Sequence, residues 1–435
     1  MASDVAIRAV PQIRTDQWIA EAVFVAYLLL VIVTLTPFAP RPPEVVLTDA
    51  GGQGDALRQI AFVSIFAATV LCAFRKFDFA MVTLVPFALL LLLGWCLLSA
   101  TWAAEGAVTL RRGVLEVIVV LTAILSVEAV GIERSLKLLR AVLIGVLVVD
   151  LISPLITSRA VHLPGEQDPS IVGAWRGLHY HKNIAGSMAA ISAMLFLFFA
   201  MDRRSRIDWL LFFGALVFLF MTKSKSSLGL LAVAIGAWMT YAWAWRRSID
   251  RTLVALAVVL IAIMGVTAVM ASWTDIENLL NDPQSFTGRT AIWGAELAFI
   301  GDHPIFGAGY GSFTDTGGTS PLHDYVGGDW VEAISQGHNG YLQLMMELGL
   351  VGFALAMIAI VVQPAIVFWR RDAIPVPFKA FLFGIFVFMV LHNFMESDTL
   401  QGEGPAWVPY LMMLSWLRQA TAITQAQNRS VAWQT

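Results

Sequence analysis

The chain has 435 residues, of which 58% are hydrophobic and only 14% charged, whereas soluble proteins carry about 25% charged residues. Its formal net charge of -3 excludes the strongly basic surface that nucleic-acid binding needs, so no nucleic-acid partner is expected. The two cysteines, Cys72 and Cys96, lie in apolar runs and predict neither a disulfide framework nor a zinc site. These properties predict an integral membrane protein.

Twelve apolar runs approach the length of about 20 residues that a membrane-spanning helix needs. They extend over 18–37, 57–74, 80–100, 108–128, 136–157, 183–201, 207–221, 226–245, 252–271, 341–369, 377–395 and 405–418. The first run is too long for the apolar segment of a signal peptide, so it is expected to remain as a helix. The predicted fold is therefore all-α, a polytopic membrane protein of about 12 transmembrane helices.

Lys and Arg residues predict the orientation, because they concentrate in cytoplasmic loops. With both termini in the cytoplasm, 18 of the 28 Lys and Arg residues lie on that side and all seven histidines lie on the outer side. Five regions follow: an N-terminal tail over 1–17, helices one to nine over 18–271 with an outer loop at 158–182, a long outer loop over 272–340, helices ten to twelve over 341–418, and a C-terminal tail over 419–435.

The outer loop at 158–182 carries Arg176 and Lys182. A planar guanidinium and an ammonium group at the membrane surface suit the oxygens of a diphosphate. The alternative is that both side chains anchor the loop by reaching the lipid headgroups. His179 and His181 form an isolated His-x-His pair, which is a weak indication of a metal site, and no metal is expected.

The long outer loop contains an apolar segment, 288–300, that is too short to span a membrane and predicts a helix lying at its surface. Arg289 opens this segment, where the start of a helix favours an anion; a lipid headgroup contact is the alternative. Trp293 and Glu296 follow among apolar residues. Because a glycine-rich run follows at 307–311, the segment is expected to act as a mobile cover over a bound lipid.

The most informative stretch begins at His338 and continues into the tenth run. Asn339, Gln343 and Glu347 follow at a spacing that places them on one face of a helix. Polar side chains are unfavourable in lipid, so this stripe must face protein or a wet cavity. A neutral imidazole at the mouth of such a helix can act as a general base; the alternative is a histidine that only packs there.

Glu347 lies about 12 Å along the helix from the histidine, at 1.5 Å per residue. This depth is too great for chemistry at the membrane surface. Glu347 is therefore expected to support the site, paired with Arg111 or Arg112 of the fourth run.

Five segments combine histidine, arginine, asparagine or glutamate residues with glycine or apolar residues. They are Arg176-Gly177 through His181-Lys182-Asn183, Gly288-Arg289 through Trp293, His303-Pro304 through Gly309, His338-Asn339 through Glu347-x-Gly349, and His392-Asn393 through Glu396-Ser397. Together they resemble the O-antigen ligase and polymerase family of integral membrane glycosyltransferases, over roughly residues 80–400. The His181-Lys182-Asn183 form of the first loop looks most like the exopolysaccharide polymerase branch.

The resemblance implies a GT-C-like helical fold and a metal-independent reaction without a cofactor. The donor would be a glycan on undecaprenyl diphosphate, and transfer to an acceptor sugar would take place at the periplasmic face of the bacterial inner membrane. His338 would be the catalytic histidine. The implied diphosphate ligands are Arg176 and Arg289, with Lys182 as a further candidate, and the supporting residues are Asn339, Gln343, Glu347 and Trp293.

Several functions stay open at this stage. A polymerase would use another lipid-linked repeat unit as acceptor and would have a chain-length regulator as a partner. A ligase would transfer the glycan to lipid A core. A transporter is a different class, which predicts polar residues and broken helices near the membrane midplane, and a non-catalytic scaffold would leave the polar stripe unexplained. The roles of Lys223 and Lys225, in a short outer turn, are also open.

The basic-residue distribution generates a topology prediction. Reporter fusions at residue 320 and at the C-terminus should report the periplasm and the cytoplasm respectively, because the 28 Lys and Arg residues favour that orientation. A reporter at residue 320 that is active only in the cytoplasm would contradict the orientation.

Overall fold

The computed structural model describes residues 17–39, 56–164, 171–247, 289–313, 320–325, 337–370, 372–402 and 404–432. These residues form an all-α membrane protein. The helices are α1 (Gln17–Ile32), α2 (Ala56–Phe77), α3 (Phe87–Leu98), α4 (Gly106–Val130), α5 (Ile132–Ile156), α6 (Lys182–Arg203), α7 (Arg206–Met221), α8 (Lys225–Arg246), α9 (Arg289–Asp302), α10 (Gly340–Trp369), α11 (Val376–His392) and α12 (Trp407–Ala432). Six of them are long and apolar enough to cross a membrane.

Most predicted apolar runs correspond to helices, and the differences have local causes. The predicted helix at 252–271 lies outside the described residues, as does the first part of the predicted loop, 272–288. The third helix begins at Phe87 rather than at residue 80, because Pro86 fixes the chain at its N-cap. The last helix continues beyond residue 418, where Arg418 pairs with the buried Glu128 of α4.

Helix α10 is broken, although its sequence predicts one continuous helix. Gly349 has φ 64° and ψ -172°, which no helix contains. The break leaves carbonyl groups without their usual helical donors in a segment that is apolar enough to cross a membrane. Such groups must find partners inside the protein.

The segment from Pro304 to Gly311 supplies these partners. The N–H groups of Ala308 and Gly309 donate to the carbonyls of Met346 and Glu347, at 2.9 and 2.8 Å. Beyond the break, Leu350 N–H donates to the Pro304 carbonyl at 2.8 Å. The glycine-rich run therefore packs against the broken helix and completes its hydrogen bonding.

The break generates a stability prediction. A Cβ on Gly349 would lie 2.1 Å from the Ile305 carbonyl oxygen, and its φ of 64° disfavours any side chain. Gly349→Ala should therefore lower the apparent melting temperature in detergent by several degrees. Gly145→Ala, in α5 with open space around the new methyl group, is the matched control and should leave it unchanged or higher. Equal melting temperatures for the two variants would contradict this role of the break.

Candidate active site

The candidate site is built around the start of α10. His338 adopts a left-handed backbone with φ 53°, and its side chain is 25% exposed. Asn339 is the N-cap of the helix, because its Oδ1 accepts from the N–H groups of Tyr341 and Leu342 at 3.1 and 3.2 Å. The sequence interpretation placed Asn339 on the helical face with Gln343. The structure corrects this, since the helix begins one residue later, at Gly340.

A carboxylate holds the His338 ring. Nδ1 of His338 lies 3.1 Å from Oε2 of Glu396, in the loop that follows α11. The other oxygen of Glu396 accepts a hydrogen bond of 2.7 Å from the Asn183 side chain, in the first turn of α6. Glu396 thus connects two of the sequence segments singled out above. With a carboxylate on Nδ1, the tautomer with its proton on Nδ1 leaves Nε2 as the basic atom.

The junction between α10 and the loop after α11 brings these groups together. Gly340 N–H donates to the Asn393 carbonyl at 2.8 Å and lies 3.3 Å from the Glu396 carbonyl. A Cβ on Gly340 would lie only 2.1 Å from Oδ1 of Asn393. A glycine at this position therefore allows the two chain segments to approach closely enough for His338 to reach Glu396.

The lower polar residues of α10 have a structural role. Gln343 donates to Oε1 of Glu347 at 2.9 Å, and Oε2 of Glu347 accepts from Gly311 N–H at 3.0 Å. Arg112 donates to the Gly311 carbonyl. Glu347 and Arg112 both hold Gly311, and with it the segment that completes the broken helix. The ion pair between Glu347 and Arg111 or Arg112 stays a prediction.

A cavity of about 470 Å³ lies beside Glu396. Its volume falls in the range of about 300–1,000 Å³ that is usual for ligand sites. The apolar wall comes from α1 and α2, and includes Leu30, Val31 and Phe62. The rest of the lining mixes apolar residues, among them Leu178, Ile184 and Ala406, with polar ones. The polar residues include Arg58, His179, Tyr180, Asn183, His392, Glu396, Ser397, Asp398 and Gln401. The cavity therefore combines an apolar side with groups that can bind a polar head.

Arg176 is buried and holds the loop before α6. Its Nε donates to the Arg159 carbonyl at 2.9 Å and one terminal nitrogen donates to the Tyr180 carbonyl at 3.1 Å. Neither Arg176 nor Lys182 is among the residues that line the cavity. Arg176 instead shapes the Leu178–Tyr180 wall, so direct diphosphate binding by these two side chains stays a prediction.

The histidines of the same loop accept hydrogen bonds from the start of α6. His181 Nδ1 accepts from Asn183 N–H at 3.2 Å, and Nε2 of His162 accepts from Lys182 N–H at 3.1 Å. Burial, together with the neighbouring His162, lowers the pKa of His181 to about 3. Burial also lowers the pKa of His179 to about 4. Both rings are therefore neutral near pH 7 and contribute no positive charge to the cavity wall.

Helix α9, the predicted surface helix, packs against the start of α10. Trp293 Nε1 donates to the Gly337 carbonyl at 2.9 Å, next to His338. Glu296 is 1% exposed, and neither of its carboxylate oxygens has a hydrogen-bond partner within the described part of the chain. Burial, and the nearby charge of Glu347, raises the pKa of Glu296 to about 8. The side chain of Arg289 lies outside the described residues.

Several residues that line the cavity were missed as site residues by the sequence analysis, among them Glu396, Asp398 and Arg58. Glu396 and Asp398 follow the apolar run that ends near residue 395, and polar residues at the end of a spanning run are the signal that could have found them. Arg58 was only one of several basic residues on the predicted outer side. Lys223 donates to the Val172 carbonyl at 3.0 Å, and neither Lys223 nor Lys225 lines the cavity.

The raised pKa of Glu296 generates a pH prediction. The unfolded chain ionises this carboxyl near pH 4.5, whereas the folded protein keeps its proton until about pH 8. Stability should therefore fall as the pH rises through this window. Glu296→Gln should remove part of that fall, so its apparent melting temperature should exceed that of wild type above pH 8 but not below pH 4.5. Asp324→Asn, which changes an exposed carboxylate, is the control and should leave the melting temperature unchanged in both pH ranges. Parallel pH curves for wild type and Glu296→Gln would contradict the assignment.

The comparisons with known proteins fit this geometry. A family model described as O-antigen ligase matches residues 210–357. This stretch includes Arg289, Trp293 and His338 and ends before Glu396. No curated protein matches the chain. On an all-α polytopic membrane protein, this match supports the resemblance to the O-antigen ligase and polymerase family and places an O-antigen ligase domain at residues 210–357.

Proposed function

We propose that the chain transfers a glycan from undecaprenyl diphosphate to a sugar hydroxyl at the periplasmic face of the bacterial inner membrane, and that it polymerises repeat units of an exopolysaccharide or O-antigen. The observation that carries the proposal is the contact of 3.1 Å between His338 and Glu396, because Glu396 also lines a cavity to which α1 and α2 contribute apolar residues. A lipid-linked glycan fits the matched family.

His338 is proposed as the general base. The acceptor hydroxyl is a poor nucleophile, and it gains reactivity when a base removes its proton as the new bond forms. Glu396 orients the ring through Nδ1 and stabilises the positive charge that develops when Nε2 takes the proton. Asn183 fixes Glu396 from the opposite side, at 2.7 Å. This arrangement repeats the logic of a histidine held by a carboxylate in hydrolases.

The bond changes balance without a metal or a cofactor. The acceptor oxygen forms a bond to the anomeric carbon of the donor sugar, and the bond from that carbon to the diphosphate oxygen breaks with its electron pair. The acceptor proton moves to His338, and undecaprenyl diphosphate leaves as an anion. The diphosphate is a stable anion, so no general acid is required to protonate the leaving group.

The cavity suggests how the donor lies. Its apolar wall, which includes Leu30 and Phe62, suits the isoprenoid chain, whereas Glu396 marks the sugar side. Arg58 is the sole Lys or Arg among the described lining residues and supplies a cation for the diphosphate. Arg176 and Arg289 stay predicted ligands on the strength of the family resemblance.

The first loop favours a polymerase over a ligase. Its His181-Lys182-Asn183 form resembles the exopolysaccharide polymerase branch, and Asn183 from this motif contacts Glu396 directly. Transfer to lipid A core, as in a ligase, is the alternative. The acceptor used in the experiment below decides between them.

The base proposal generates an activity prediction. His338→Ala should lower the transfer rate by about 10²–10⁴-fold, the usual contribution of a general base. Glu396→Gln should lower it by a smaller factor, because the ring keeps a hydrogen-bond partner but loses the charge that stabilises its protonated form. The measurement is release of undecaprenyl diphosphate and elongation of glycan by purified protein in lipid, with a lipid-linked repeat unit as donor and either the same unit or lipid A core as acceptor.

Glu133→Gln is the matched control, since Glu133 pairs with the exposed Lys137 at the start of α5 and lies away from the cavity. It should retain full activity. A well-folded His338→Ala variant with near-normal turnover would reject the base role. If the protein uses lipid A core as acceptor but not the lipid-linked repeat unit, the result would indicate a ligase and reject the polymerase assignment.

A further inference from the structure

The cavity contains a second histidine–carboxylate pair that the proposed reaction does not use. His392, the last residue of α11, is fully buried, and its Nδ1 lies 2.5 Å from Oδ2 of Asp398. Both residues line the cavity beside Glu396. The Asp398 side chain is 12% exposed, whereas the His392 side chain is 0% exposed.

A chain of buried hydroxyl groups fixes this pair. Nε2 of His392 lies 3.0 Å from Oγ of Ser227, which in turn accepts from Oγ of Ser224 at 3.0 Å. Both serines lie at the start of α8 and are almost completely buried. A neutral imidazole satisfies every contact: Ser227 donates to Nε2, and the proton on Nδ1 goes to Asp398.

The loop backbone also fixes Asp398. Its N–H donates to Oδ1 of Asn393 at 3.2 Å, and the same oxygen accepts from Thr399 N–H at 3.1 Å. The carboxylate of Asp398 is thus held by the His392 ring, and its backbone is held by the Asn393 side chain. A group held so rigidly loses little conformational entropy when it binds a ligand.

The charges of the cavity indicate which ligand this carboxylate takes. Glu396 and Asp398 lie on the same wall, and two acidic groups disfavour a diphosphate anion at that place. A carboxylate only accepts hydrogen bonds and can accept several, which suits the neighbouring hydroxyl groups of a neutral sugar. Gln401 and Asn183 add amide groups to the same lining.

We infer that Asp398, positioned by the Ser224–Ser227–His392 chain, forms a sugar-binding subsite that accepts hydrogen bonds from hydroxyl groups of the glycan next to the diphosphate. The inference rests on the proposed function for the identity of the carrier. It goes further by assigning a residue that selects the sugar and that orients the donor, with its sugar toward the acidic wall and its diphosphate toward Arg58.

A binding experiment tests the subsite without requiring transfer. The full chain in lipid nanodiscs is titrated with two probes: undecaprenyl diphosphate alone, and the lipid-linked oligosaccharide extracted from cells that lack this chain. Asp398→Asn should weaken binding of the glycan-linked probe by about 10–100-fold, the range for a hydrogen bond to a charged group. Binding of undecaprenyl diphosphate alone should stay within about twofold, a difference small against that range.

Ser227→Ala tests the positioning chain. It leaves the carboxylate in place but removes a partner of His392, so it should weaken the glycan-linked probe by a smaller factor and leave the bare carrier unaffected. Asp372→Asn is the matched control, because Asp372 pairs with Lys379 outside the cavity, and it should bind both probes as wild type does. Melting temperatures show whether each variant is folded.

Two results would overturn the inference. One is unchanged binding of the glycan-linked probe by a folded Asp398→Asn variant. The other is an equal loss of affinity for both probes, which would mean that Asp398 contacts the diphosphate or only stabilises the protein. Failure of the proposed function is a separate result. In that case wild-type protein would bind the glycan-linked probe, with the expected Asp398 dependence, but would not transfer it.

Discussion

The hydrogen bond of 2.8 Å from Gly340 N–H to the Asn393 carbonyl is the contact on which the site depends. It joins the start of α10 to the loop that ends α11, and the missing side chain of Gly340 gives Asn393 room. His338 comes from one side of this junction and Glu396 from the other. The Asn393 side chain then holds the turn that carries Asp398. One close backbone contact thus brings His338 to Glu396 and holds the turn of Asp398, and both carboxylates line the same cavity.

The second constraint is that backbone groups within a membrane must find partners in the protein. Helix α10 breaks at Gly349, and the carbonyls exposed by the break are bound by backbone N–H groups from the preceding segment and by the Trp95 side chain, which donates to Leu348 at 3.0 Å. Arg112 and Glu347 hold that segment at Gly311. The polar stripe therefore has two functions: its first residues build the site, and its last residue stabilises the helix beneath it.

The charged side chains that line the cavity distinguish its parts. Its acidic groups, Glu396 and Asp398, lie together, and Arg58 is the cation among the described lining residues. The rings of His179 and His181 stay neutral because burial lowers the pKa of each. A molecule with an apolar tail, an anionic link and a neutral polar head matches these three environments. Arg176 is not among the residues that line the cavity, and its guanidinium binds backbone carbonyls.

The sequence by itself determined the membrane class and most helices, and it predicted a site at His338, because apolar length and polar residues within apolar runs are local properties of the chain. It also indicated α9 as a short helix beside the site. Only the tertiary structure decided that Asn339 caps α10, that Glu347 holds Gly311, and that Glu396 rather than a neighbouring residue orients His338. These contacts join residues from separate segments. No local pattern of polarity specifies which carboxylate reaches which ring; the packing of α6, α8, α10 and α11 does.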